Sequence, residues 1–342
     1  MNKSAMRDVD SARGALRLIF VLLLSAAGTL AQQPPSPPAD SIRVSVDRVN
    51  VGVIVTGARG KFIEGLRRDD FHVFDNGAEQ PITDFAPVDE PAQVLMLVEA
   101  GPSVYFLEAG HTQATHALLA GLSAGDHVAV AKYDTSPQIL LDFTANKQLA
   151  EAALAKVRYY MGFGNLNLSR SLLAVLDSLA KVQGKKTIVL LSTGFDTSPP
   201  DEISALLARL QNSDVRILAI SLGAELRNPP PSPQKKKQQP IDKAAITQQG
   251  FAEADRMLLA LTEATGGRVY FPNSAKNFAA VYSEVAELVR HEYSLAFAPP
   301  AHDGKSHTIE VRVSLSVAAV PSAPVAAYRI DHRRAYTAPP AP

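Results

Sequence analysis

The stretch Val94–Leu95–Met96–Leu97–Val98–Glu99–Ala100–Gly101–Pro102–Ser103 decides how this chain folds. Its apolar run is too short for a free-standing helix and suits a strand buried on both faces, the mark of a central strand in a parallel sheet. The run empties onto a carboxylate, a Gly-Pro turn and a serine able to cap the helix that follows. Thr187–Ile188–Val189–Leu190–Leu191–Ser192–Thr193–Gly194 repeats the design. Two buried strands ending on polar turns mark the crevice where an open α/β sheet binds its ligand.

Outward from Val94, strands alternate with helices. An apolar-periodic segment over 112–122 precedes the strand His127–Tyr133, for which Gln138–Phe143 is close enough to be an antiparallel hairpin partner. Thr144 can cap a helix through Leu149, Leu154 and Val157, and a further helix covers 168–182. After the Thr187 strand come a helix over 202–210, the strand Val215–Ile220 and a helix from Phe251 to Thr265 stopped by Gly266–Gly267. A short strand, Arg268–Phe271, leads to a last helix that gathers Phe278, Val281, Tyr282, Val285, Leu288 and Val289 on one face. This rhythm predicts a doubly wound α/β sheet over 91–290. Within it, 224–245 is rich in Pro, Lys and Gln and reads as a mobile loop.

The flanks read differently. Ile42, Val44 and Val46 alternate, then Val49, Val51, Val53 and Val55 alternate in the opposite phase, so a bulge or break is expected near Asp47–Arg48. Phe71–Asp75, Asn76–Gly77 and a second run through Ile82 and Phe85 read as a β-hairpin, with Asn-Gly supplying the positive φ of its turn. Beyond His291, Tyr293, Leu295 and Phe297, then Ile309 to Val317, then Tyr328 and Ile330, mark strands that have no helices of their own. The segments 41–88 and 291–336 each lack a partner for their apolar faces. They are expected to form one β-sandwich that flanks the α/β sheet or has it inserted.

The chain has 342 residues, 34 basic and 34 acidic, and no cysteine. The charge balance gives no global field for nucleic acid, and the lack of cysteine excludes disulfides, thiolate metal sites and a cysteine nucleophile. Residues 1–31 place Arg7, Arg13 and Arg17 before the apolar core Leu18–Leu24 and small residues, which reads as an export signal, followed by a Pro-rich linker over 32–40. The bulk of the chain is expected to be periplasmic or secreted, with no stable membrane span after cleavage. The alternative is an inner-membrane anchor formed by the uncleaved signal.

Several catalytic motifs fail on context. Gly121–Leu122–Ser123–Ala124–Gly125 spells the serine-hydrolase elbow, which must follow a strand and open a helix, whereas here a helix precedes and a strand follows. Ser123 should then lie at the sheet edge opposite the crevice. Gly184–Lys185–Lys186–Thr187 lacks the first glycine of a phosphate loop, and Gly162–Phe163–Gly164 lacks the third of a dinucleotide loop. His302 and His307 around Asp303 suit a polar strand turn better than a metal site.

Taken in order, Gly65–Leu66–Arg67–Arg68–Asp69–Asp70–Phe71–His72–Val73–Phe74–Asp75–Asn76–Gly77, the two strand tips, Thr265–Gly266–Gly267–Arg268, Asp303–Gly304–Lys305–Ser306–His307 and Arg333–Arg334–Ala335–Tyr336 resemble the bacterial von Willebrand factor A-related proteins first grouped from acidobacteria. The resemblance spans about residues 41–336 and implies a metal-ion-dependent adhesion site built from Asp-x-Ser-x-Ser, a Thr and an Asp. Here Glu99 replaces the first Asp, Gly101 the first Ser, and Thr193 the last Asp, while Ser103 remains and the middle Thr falls near Asn165 or Leu166. Asp196 stands close to Thr193 in the chain. A degenerate metal set of Glu99, Ser103, Asn165 and Asp196 follows from the resemblance, with no cofactor expected beyond weak magnesium. The plain alternative makes Glu99 a solvated strand-end carboxylate and Ser103 a helix cap.

With the export signal and these departures from the ligand set, the chain is expected to be an exported, non-enzymatic protein-interaction module, adhesive or scaffolding, that needs no metal. Its partner, an unidentified protein, would meet a face formed by Glu99, Gly101, Ser103, Gly164, Asn165, Thr193 and Asp196. Two readings stand beside it: a magnesium-dependent adhesion module and an esterase using Ser123.

Overall fold

The computed structural model describes residues 48–57, 60–88, 90–101, 108–157, 165–223, 243–272, 277–314 and 328–341. The export signal, the linker, the strand expected at Ile42–Val46, and the positions Ser103 and Gly164 lie outside these residues.

Val94–Val98 form the centre of a six-stranded sheet. β5 (Gln93–Glu99) lies between β6 (His127–Tyr133) and β8 (Lys186–Ser192), with β9 (Val215–Ser221) and β10 (Arg268–Tyr270) beyond β8 and β7 (Pro137–Thr144) at the far edge. All run parallel except β7, which pairs antiparallel with β6 as the short spacing predicts. Alternate residues of one strand feed two cores. Val94, Met96 and Val98 pack with Val128, Val189 and Leu218 beneath α1 (Glu108–Gly121), α2 (Lys147–Leu154) and α6 (Phe278–Arg290). Leu95 and Leu97 pack with Ala131, Ile188 and Ile217 beneath α3 (Leu168–Leu179), α4 (Pro200–Gln211) and α5 (Lys243–Thr265). With helices on both faces, no face of these strands has to be polar, which is why they read as unbroken apolar runs.

The flanking strands share a separate core. β1 (Val49–Thr56) pairs with β11 (Glu292–Phe297) and β13 (Arg329–Asp331), and β11 pairs with β4 (Asp84–Val88). The second sheet orders β14 (Ala335–Thr337), β12 (Ser306–Val313), β2 (Phe71–Asp75) and β3 (Ala78–Gln80). Val49, Val51, Val53 and Val55 meet Leu295, Phe297, Ile309, Val311 and Val313 between the two sheets. The α/β part is thus flanked by a sandwich built from both ends of the described chain. Across the junction, Arg268 of β10 reaches Asp331 on β13 (Nε–Oδ2 3.1 Å), Glu284 on α6 (2.7 Å) and the Thr56 hydroxyl on β1 (2.9 Å).

Four local expectations change. The hairpin turn is as predicted, with φ of 47° at Asn76 and 83° at Gly77, but its second arm ends at Gln80. Pro81 has no N–H for the ladder, and Asp84–Val88 cross to the other sheet as β4. The cap of α2 is Asn146, whose side-chain Oδ1 accepts from Gln148 N and Leu149 N, while Thr144 Oγ1 only holds the Asn146 N–H at 3.1 Å. That helix stops at Leu154, short of Val157. The helix expected from Phe251 already runs from Lys243, because Ala244 and Ala245 are strong helix formers.

Candidate binding crevice

The parallel register brings the two polar strand tips together. Val98 lies opposite Lys132 and Leu191, so the next residue along, Glu99, meets Tyr133 on one side and Ser192 on the other. Glu99 is fully buried. Its Oε2 accepts from the Thr193 N–H at 2.7 Å, Thr193 Oγ1 at 2.8 Å, Ser192 Oγ at 3.1 Å and Tyr133 OH at 3.2 Å, and its Oε1 lies 3.0 Å from Thr193 Oγ1. Ser192 Oγ also lies 2.7 Å from Tyr133 OH and accepts the Gly194 N–H at 2.9 Å. The expectation of a solvated strand-end carboxylate is therefore wrong. Burial raises the Glu99 carboxyl above its usual range, against the lowering pull of the Thr193 N–H and hydroxyl, Ser192 and Tyr133. Burial and the neighbouring Glu99 charge push Tyr133 well up, which keeps it a neutral donor.

The space beside Glu99 is apolar. A Cβ on Gly101 would lie 3.3 Å from Leu166 Cδ1 and 3.8 Å from Glu99 Oε1, so Leu166 fills the place that a longer residue at 101 would claim. Leu166 is itself held by backbone: its N–H donates to Thr197 Oγ1 at 3.0 Å, and its carbonyl accepts from the Thr197 N–H at 2.8 Å.

Asp196 has a different task. Its carboxylate accepts from Leu168 N at 3.1 Å and Ser169 N at 2.9 Å, the first two amides of α3, and from Ser198 N at 2.8 Å. It caps that helix from a distant loop, in the place of a side-chain cap that Asn167 does not make.

Of the residues expected on the binding face, Glu99, Gly101 and Thr193 are buried, Asp196 is half-buried and Asn165 is exposed. Glu99 and Thr193 form one hydrogen-bonded hub, whereas the Asp196 carboxylate is spent on α3. Among the described residues, no three His, Cys, Asp or Glu side chains cluster in a way that could hold a metal ion. Ser192 joins the hub from the second polar strand tip, and Tyr133, which no sequence motif singled out, joins it from β6. The signal for Tyr133 was positional, as it sits beside Glu99 once the strands are aligned in parallel.

Ser123 lies between α1 and β6, at the amino edge of the sheet, with its N–H donating to Asp126 Oδ2 at 2.7 Å. That is the edge opposite Glu99, as expected. His307, between Asp75 (2.7 Å) and Asp303 (3.3 Å), belongs to the sandwich and joins β12 to β2.

Residues 112–240 match the model of the von Willebrand factor type A domain. The α/β unit is a von Willebrand factor type A domain. Among solved structures, the chain is similar to a von Willebrand factor type A protein from Catenulispora acidiphila, at 10% identity over 87% of this chain and 75% of that one, TM-score 0.44. It is also similar to the conserved hypothetical protein BatB from Bacteroides thetaiotaomicron (12% identity, 58% and 98% coverage, TM-score 0.42). A third is the vWF domain of the type V pili tip protein Mfa5 from Porphyromonas gingivalis (13% identity, 60% and 96% coverage, TM-score 0.41). No curated protein matches the chain. Among the described residues, no helix is long and apolar enough to cross a membrane.

Proposed function

We propose that this A-type domain is an exported, non-enzymatic protein-interaction module whose partner docks at the carboxyl edge of the six-stranded sheet without a bridging metal. Domains of this type are typically adhesion or interaction modules, and the Arg-flanked apolar core of residues 7–24 supports export. One observation carries the metal-free reading: both Glu99 oxygens are already engaged by protein donors, four of them on Oε2 alone. A hard cation would have to displace those donors and expel Leu166 from beside Gly101 to gather oxygens around itself. The surface left for a partner is the rim above this hub, where Asn165 and Thr197 are exposed and Phe195 is half-buried. Loops on a rigid sheet commonly carry recognition.

A photocrosslinking amino acid placed at Asn165 in the full chain, in intact cells, tests the reading. A discrete adduct that survives chelation of divalent cations is expected, and the same probe at Arg256, on the exposed side of α5, should give none. Loss of the adduct on chelation, or no adduct at Asn165, would reject the reading in favour of the magnesium-dependent or another function.

A further inference from the structure

The opposite edge of the sheet carries a second feature. Where β8 and β9 begin, next to β1 and β11 of the sandwich, a groove of about 590 Å³ opens. Five cations line it: Arg48, Lys185, Lys186, Arg216 and Arg333. Only three carboxylates do, unevenly committed, and a fourth, Asp84, pairs with Arg48 from outside the groove. Asp214 takes Lys186 at 2.6 Å. Glu292 serves two cations with one oxygen, Arg216 at 2.7 Å and Lys185 at 3.9 Å. Burial alone would raise the Glu292 carboxyl, but Arg216 and then Lys185 outweigh it and hold it below its usual range.

Arg333 is the least compensated. Among the described residues it donates only to backbone carbonyls, of Gln211 at 3.2 Å and of Asn50. Its Nε and that of Arg216 are buried with no hydrogen-bond partner among the described residues. Gly52 makes room for this cluster, since a Cβ there would lie 2.7 Å from Arg216 Nη2. Burial with so little countercharge lowers Arg333 to about 10.

The groove is also long. A shallower pocket of about 250 Å³ shares Arg48, Asn212 and Arg333 with it and continues to Pro299, Tyr336 and Pro339. A compact anion needs one end of such a channel, whereas an extended chain uses all of it. We infer that this groove binds an extended acidic peptide segment of a partner protein, with its carboxylates along Arg48 and Arg333 and an apolar residue on the proline shelf. The site is independent of the crevice around Glu99 and can fail or hold without it.

The test is fluorescence anisotropy of the full chain with a labelled polyglutamate peptide of about eight residues, roughly 26 Å when extended. Saturable binding that weakens as salt is raised is expected. Arg48→Glu and Arg333→Gln should each weaken it about tenfold, while Arg256→Glu, an exposed cation on α5, should not. Arg48 is half-exposed and pairs only at the surface with Asp84, so Arg48→Gln, which adds no like charge beside Asp84, is the control that keeps the fold even if the Arg333 variant does not. Failure to bind at low salt, equal loss with Arg256→Glu, or equally effective competition by inorganic phosphate or a single-stranded oligonucleotide would each overturn the inference.

Discussion

Thr193 holds the Glu99 carboxylate twice, through its backbone N–H at 2.7 Å and its hydroxyl at 2.8 Å. The position at which the sequence resemblance implies a second carboxylate supplies two donors to the first one instead. A buried acid is tolerated when donors surround it. The tip of β5 is therefore fastened to the tip of β8, and the floor of the crevice is rigid.

Thr193→Val should remove the hydroxyl but leave the N–H in place, costing about 1–2 kcal/mol. Glu99→Ala, which leaves the Thr193 N–H and the Tyr133 hydroxyl without an acceptor and opens a void, should cost about 2–4 kcal/mol. Urea unfolding of the two variants measures both, and a larger loss for Thr193→Val than for Glu99→Ala would contradict this ranking.

Glu99 should make stability fall as pH rises. Its folded value is raised by burial, so the folded state holds the proton more tightly than the unfolded chain. The favourable contribution is complete below the ordinary carboxylate value near 4.5 and is lost as pH climbs through the raised one. Glu99→Gln places an amide where Thr193 Oγ1 can accept from it, and should flatten that part of the profile. Melting temperature recorded from acid to neutral pH distinguishes the two proteins.

His307 adds a descent of its own above 6.5. Its bond to Asp75 is the main influence, and with Asp303 it raises the ring above 6.5 against the opposing effect of desolvation. The tie between β12 and β2 is thus strongest below 6.5 and weakens as pH passes the raised value. His307→Gln should remove this step and leave the Glu99 step untouched.

Magnesium should not change the melting temperature of the wild-type chain. Glu99→Asp with Gly101→Ser and Thr193→Asp should create a protein that is less stable without the ion, because two buried carboxylates then face each other. Millimolar magnesium should restore it by binding the folded state alone. Leu166 stands 3.3 Å from the new Cβ at 101, so adding Leu166→Ala should strengthen the response. Micromolar magnesium binding by the wild type, abolished by Glu99→Ala, would show that the donors around Glu99 yield to a cation.

The sheet was legible because its physics is local. Runs such as Val94–Val98 and Ile188–Leu191 can only be strands covered on both sides, and the alternation in β12 could only be a strand covered on one. The resemblance pointed to the strand tips but not to the hydrogen bonds that they make. Whether a carboxylate faces water or four donors depends on register between segments far apart in the chain, and Tyr133 is set beside Glu99 by strand pairing alone. The role of Asp196 as a cap for α3 was hidden for the same reason, since it serves a helix that begins 28 residues earlier. Pro81, by contrast, could have been read as the end of the hairpin arm, because proline cannot extend the ladder.

The last residue pair of β4 with β11 is Val88 with Glu292, so the A-type domain leaves the sandwich and returns to it at neighbouring strands. In the unfolded chain those strands are separated by the whole inserted unit, and bringing them together costs roughly 5 kcal/mol of loop entropy. Once the inserted unit has folded, its two ends stand side by side and most of that cost is gone. Loop entropy therefore favours one order of assembly: α/β unit first, sandwich second. Until the final strands arrive, β1 and β4 have no partner in β11 and present open edges, which makes the period before completion the one in which this protein is most exposed to aggregation.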